Sequence, residues 1–231
     1  MTKLNRRDVL NSAATLATVA AVPLAAGAAP AAAVAAPLAP AAQLPFVPGS
    51  LGWLSEKLIT SHHDNNYVGA VKRLGQIRNE LAALDLAATP GYRLNGLKRE
   101  ELVAWNSMIL HELYFSGLGQ AAAPGAALSQ AIERDFGSQA AWAAEFTAMG
   151  KALGGGSGWV VLTWSGRDRR LVNQWAADHS MAMAGSTPLL ALDMYEHAYA
   201  MDFGAKAGDY VDGFMKSIAW GNADRLFKPL A

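Results

Sequence analysis

The chain is 231 residues long, 52% hydrophobic and free of cysteine, and it carries 19 basic against 19 acidic side chains. That length suits one or two domains. Without cysteine there are no disulfides, thiolate metal sites or iron–sulfur clusters of the usual kind, so any metal must be held by histidine and carboxylate. The balanced charge offers no basic surplus with which to hold a nucleic acid.

Residues 1–40, "MTKLNRRDVLNSAATLATVAAVPLAAGAAPAAAVAAPLAP", do not read as folded protein. A short basic segment carrying Arg6-Arg7 precedes a weakly apolar Ala/Leu/Val run and several small-residue sites of the A-x-A kind. This is the pattern of an export signal, and the paired arginines point to the twin-arginine route. Ser, Thr, Asn and Pro interrupt the run too often for a good spanning helix, so no membrane association is expected once the signal is removed. Its removal takes away Lys3, Arg6, Arg7 and Asp8, which leaves 16 basic and 18 acidic residues, a formal net of −2. The expected location is periplasmic or secreted.

From about residue 52 the pattern is helical. Leu54, Leu58, Val71, Leu74, Ile77, Leu81 and Leu84 recur at helix-like intervals, with Ser55 as a reasonable start. The stretch "ATPGYRLNG", residues 88–96, is a breaker, and a second helix is expected over 98–116. Two long helices joined by a breaker imply an antiparallel hairpin, and 44–120 forms the first expected domain. Pro124-Gly125 marks a turn after a small-residue linker. Two shorter helices split at Gly137 follow. Apolar runs near 158–164 and 169–175 flank "SGRD" and predict a β-hairpin, "PLLALD" predicts a third strand, and helices close the chain from about 195, one of them "GDYVDGFMKSIAW". The fold class is α+β, a helical hairpin followed by a C-terminal α/β domain, 126–231, with a small three-stranded antiparallel sheet.

The sequence has five histidines: His62, His63, His111, His179 and His197. In a regular first helix His62 and His63 point about 100° apart, so only one faces the second helix. His111 lies in the apolar stretch "SMILHELYF" and belongs on an inner face. Asp193 and His197 are four apart. On a helix that spacing puts both on one face, either as part of a cation site or as a surface pair. One histidine from each arm of the hairpin together with the Asp/His pair would make a mixed N/O site suited to Fe, Mn or Zn, with room for one solvent ligand.

Within these residues "DMYEHAY" resembles the D-x-W-E-H-A-Y motif of the iron/manganese superoxide dismutases, and "IERDFGS", "GSGWVVL" and "GDYVDGFMKSIAW" fall in the family's order at similar spacings. The resemblance covers residues 44–231. It implies the family's reaction, disproportionation of superoxide to oxygen and hydrogen peroxide, at one Fe or Mn ion per subunit. The implied metal ligands are His62, His111, Asp193 and His197. "SHHDNNYVGAVKRLGQI" lines up without a gap when His62 is the ligand. The register that pairs Tyr67 with the family's active-site Tyr puts Ile59, a hydrocarbon, at the ligand position. "QWAADHSM" places His179 where one subgroup has a catalytic His that hydrogen-bonds the metal-bound solvent, Trp159 would wall the site, and Glu196 would pair with the partner's ligand histidine across a homodimer interface beside His197.

Several positions depart from the family's pattern. Asn66 and Ala70 stand where the family has a gateway His and Tyr, Ala200 stands where a second Tyr holds that His, Tyr195 replaces the motif's Trp, and Val161 the second Trp of W-x-W. Loss of the gateway implies an opened funnel and slower turnover with ligation kept; Tyr67 or His63 is near enough in sequence to refill the space. The alternatives are a dismutase-like metal-binding scaffold or dimeric interaction protein with little turnover, and a metal enzyme acting on another small oxidant.

Overall fold

The computed structural model describes residues 38–231; the export signal expected over residues 1–40 lies almost wholly outside them. The first long helix is built from α1 (Glu56–Ser61), a π-helical turn (His62–Tyr67) and α2 (Val68–Ala82). Ser55 starts it as expected, its Oγ accepting the Leu58 N–H at 3.1 Å, and is itself held by the Asp202 carboxylate. Helix α3 (Gly91–Ser116) returns antiparallel. It begins directly after Pro90, seven residues earlier than the pattern predicts, because Pro suits the entry to a helix and Gly96 is tolerated within one. The hairpin closes over Leu74, Ile77 and Ala104, with Arg78 stacked 4.3 Å above the exposed-edge Trp105 ring.

Helices α4 (Ala126–Phe136) and α5 (Gln139–Ala152) meet at Gly137, whose φ of 86° is the left-handed cap that Gly supplies without strain. Three strands follow, β1 (Trp159–Ser165), β2 (Arg170–Ala176) and β3 (Ser186–Asp193), in the order β2-β1-β3, all antiparallel. Each predicted hairpin strand is displaced by about one residue. Central β1 is buried along its whole length, so its apolar run shows no alternation, whereas β2 alternates in part. The chain ends with α6 (Ala200–Phe203), α7 (Ala207–Met215) and α8 (Gly221–Phe227). The expected helix over "GDYVDGFMKSIAW" stops at Met215, and Ile218 instead bridges to Leu118.

The register fixes what stands at the end of the sheet. Trp159 pairs with Asp193 on one side and with Ala176 on the other, so the start of β1, the end of β3 and the exit of β2 toward His179 share one edge. Gly158 lets the strands close here: a Cβ on it would strike the Ala176 carbonyl. The larger apolar core runs from Leu58, Ile59 and Phe115 of the hairpin through Trp159 and Leu192 to Tyr210 and Phe214. Among the described residues no helix is long and apolar enough to cross a membrane.

Candidate metal centre

Four side chains from distant parts of the chain meet where the hairpin abuts this sheet end. His62 comes from the π turn, His111 from α3, Asp193 from the last position of β3, and His197 from a 3-10 turn (Glu196–Ala198). Each offers one donor atom, and the four atoms lie within 4.8 Å of one another. The Oδ2 of Asp193 is 3.1 Å from His62 Nε2, 3.2 Å from His197 Nε2 and 3.6 Å from His111 Nε2. Ligands bound at about 2.1 Å stand about 3.0 Å apart at right angles and about 3.6 Å apart at 120°, so these separations are those of donors around one ion.

The local structure differs from a regular helix in two places. Asp193 and His197 share no helix face. A strand ends at Asp193 and the chain turns sharply, with the Tyr195 N–H donating to Asp193 Oδ1 at 2.8 Å, and this turn brings His197 Nε2 back to the carboxylate. In the first helix the π turn widens the spacing, and both His62 and His63 are buried against Phe115 of α3, at ring separations of 5.0 and 5.7 Å, where a regular helix allows only one to face it. His63 nevertheless does not join the four donors. Its Nε2 bonds the Ala42 carbonyl at 3.0 Å, and Tyr67 accepts the Ala42 N–H and donates to Glu112. Both side chains are thus engaged, His63 with Ala42 and Tyr67 with Ala42 and Glu112. Ile59 is fully buried core.

The chemistry of the donors fits a cation. His111 Nδ1 lies 2.6 Å from the Ser107 carbonyl, an acceptor, so Nδ1 carries the hydrogen and Nε2 presents a lone pair. Burial pushes the His111 imidazole down to about 3, and burial lowers His62 as well, so both rings are neutral at ordinary pH. Burial works to raise the Asp193 carboxyl, but hydrogen bonds from His197 and His62 outweigh it and hold it well below the usual carboxylate range. His111 Nε2 therefore faces a buried carboxylate oxygen as lone pair to lone pair, with no hydrogen-bond partner. An uncompensated arrangement of this kind in a dry interior is costly, and a positive ion between the two satisfies both. The Tyr210 hydroxyl donates to the Asp193 carbonyl at 2.8 Å and anchors the strand end.

Around the four donors, Trp159 is fully buried and sets its ring edge-on to His111 at 5.2 Å and to His179 at 5.6 Å. His179 lies in the loop after β2, its ring nearly parallel to His111 at 6.1 Å, its Nδ1 2.9 Å from the Tyr195 hydroxyl and its Nε2 buried without a partner. Glu196 is exposed beside half-buried His197. Sequence reasoning did not find the supporting contacts of Ser107, Tyr195 and Tyr210. Ser107 was open to detection, since it precedes His111 by one helical turn; the ties of Tyr195 and Tyr210 depend on packing.

Comparison with known proteins identifies the family. Residues 124–226 match the family described as iron/manganese superoxide dismutases, C-terminal domain. The chain is 65% identical over 180 residues to a superoxide dismutase [Fe] of Cupriavidus metallidurans, covering 78% of this chain and 91% of that protein. It is 34% identical over 172 residues to a superoxide dismutase [Mn] of Haloferax volcanii, covering 72% and 83%, and 34% identical over 191 residues to a superoxide dismutase [Fe] of Aquifex pyrophilus, covering 78% and 87%.

Proposed function

The chain belongs to the iron/manganese superoxide dismutase family, and from that premise we propose that His62, His111, Asp193 and His197 are the ligands of one iron or manganese ion at which the protein disproportionates superoxide. The observation that carries the assignment is the three imidazole nitrogens 3.1–3.6 Å from a single buried carboxylate oxygen. When bound, the ion supplies the redox step, cycling between trivalent and divalent states so that two superoxides and two protons give oxygen and hydrogen peroxide.

The chain's own residues do the rest. Asp193 brings the one negative charge of the donor set, leaving a bound trivalent ion with a net positive charge that attracts an anion. The Ser107 carbonyl fixes the His111 tautomer and ring, and Tyr210 holds the strand end from which Asp193 projects. Trp159 and Phe115 exclude water from the ligand rings. His179, with its free Nε2 beside the donors, holds and delivers a proton.

Three finer assignments extend this reading. His179 is the catalytic residue outside the ligand set. A homodimer forms through Glu196 and His197, a surface supported by the exposure of Glu196 next to a ligand ring. The protein is exported by the twin-arginine route, supported by Arg6-Arg7 ahead of the apolar run; Arg6→Lys with Arg7→Lys is expected to hold the protein in the cytoplasm in cell fractionation.

The test of function is metal content together with superoxide turnover on the purified chain and on His111→Ala and Asp193→Ala. Bound iron or manganese with turnover in the wild type, and loss of both in the two variants, is the expected result. Bound metal with negligible wild-type turnover would instead establish a scaffold, the outcome that the missing gateway at Asn66, Ala70 and Ala200 makes worth measuring.

A further inference from the structure

We propose that Tyr195 is a positioning residue: its phenol fixes the ring orientation and the tautomer of His179, so that Nε2 of His179 is presented to the site as a single N–H donor. The proposal rests on the dismutase reading for the role of His179, but its structural content stands apart from it.

Tyr195 is held on three sides. Its backbone N–H donates to Asp193 Oδ1 at 2.8 Å, its ring lies nearly parallel to that of His197 at 5.3 Å and 17°, and it tilts against Trp159 at 6.2 Å. The turn that closes the donor set therefore also aims the phenol, and the hydroxyl meets His179 Nδ1 at 2.9 Å. His179 is gripped in turn: its carbonyl accepts the Asn106 side-chain N–H at 2.7 Å, and its ring sits between Tyr195, His111 and Trp159.

A neutral imidazole carries one ring hydrogen. A phenol has a hydrogen to give and an imidazole nitrogen without one accepts it, so at 2.9 Å the Tyr195 hydroxyl donates to His179 Nδ1. With Nδ1 accepting from the phenol, the ring hydrogen sits on Nε2, the nitrogen left buried and unpartnered. Asn66 and Ala70 carry no hydroxyl; Tyr195 supplies one to His179 from two residues after Asp193.

The experiment uses the 15N-labelled full chain, prepared without metal, as wild type, Tyr195→Phe and Tyr195→Trp, with His179→Gln to assign the His179 signals. Phe keeps the ring against His197 and removes only the hydroxyl. The expected result is a single Nε2–H tautomer for His179 in the wild type and averaged tautomers in both variants. After loading, Tyr195→Phe should bind metal in the same amount, with a shifted reduction midpoint and turnover reduced about tenfold. Mixed tautomers in the wild type, or a His179 spectrum unchanged in Tyr195→Phe, would overturn the proposal. If the tautomer responds as expected while no loaded form turns over superoxide, the positioning role stands and the dismutase reading fails.

Discussion

The two sides of the candidate metal centre are built by different means. On the sheet side, Asp193 is tied by hydrogen bonds: its Oδ1 takes the Tyr195 N–H, its carbonyl takes the Tyr210 hydroxyl, and the next residue, Met194, donates to the Gly158 carbonyl. On the hairpin side, His62 makes no hydrogen bond through Nδ1 and is located by packing, its ring 5.1 Å from Tyr114 and 5.0 Å from Phe115. Directional bonds fix a carboxylate whose charge must point at the ion. Aromatic contacts fix where a neutral ring sits but tolerate changes around it, and the positions that depart from the family's pattern on this side, Asn66 and Ala70, follow His62 in the same helix.

The difference can be broken most directly at its centre. Asp193→Ala removes the only anionic donor of the set and leaves three imidazole rings; bound metal by elemental analysis and superoxide turnover should both fall by more than the ~100-fold that loss of a supporting partner typically costs. Phe115→Ala strikes the packed side. It deletes a fully buried ring that contacts His62, His63 and Tyr114, and denaturant unfolding should show a loss of about 3–5 kcal/mol, with weakened metal retention because His62 loses its wall.

A smaller effect is expected where a single bond is removed from the bonded side. Tyr210→Phe keeps the stacked ring but leaves the Asp193 carbonyl short of a donor, at a cost of about 1–3 kcal/mol. Metal content should persist at saturating metal, since the Tyr195 N–H still holds the carboxylate; complete metal loss in this variant would contradict the division drawn above. The smallest effect concerns pH on the hairpin side. Burial pushes the Tyr67 phenol up to about 12, and its bond to Glu112 adds to that, whereas in an unfolded chain a tyrosine ionises near about 10. The fold keeps this proton where the unfolded chain sheds it, so the contribution is complete below about pH 10 and is lost as pH rises from there to about 12. Tyr67→Phe should flatten that decline in a series of unfolding midpoints, but only in part, because Tyr195 is also raised to about 12.

Much of the fold was legible because it rests on local rules. Ser55 as a cap, Gly137 as a break, "SGRD" as a hairpin turn and "PLLALD" as a strand all follow from residue types that act within a turn or two. The misjudged points had a weaker local signal or a longer-range cause. The second helix runs back to Gly91 because Pro90 suits a helix entry and Gly96 is tolerated, a weak local signal, whereas the helix over "GDYVDGFMKSIAW" ends early because Ile218 is captured by Leu118. The i,i+4 spacing of Asp193 and His197 suggested a helix, yet the same distance is reached by a strand end and a 3-10 turn.

By itself the sequence determined the chemical inventory: histidine and carboxylate as the only strong metal donors, their order along the chain, and the elements that carry them. The tertiary structure decided which of them meet. The strand register that sets Trp159 against Asp193, the π turn that buries both His62 and His63 against Phe115, and the phenol of Tyr195 that ends at His179 all depend on surfaces brought together from separate elements of the chain. Local preference is a property of neighbours along the chain, whereas a donor set of four is a property of packing, and only the packed core specifies it.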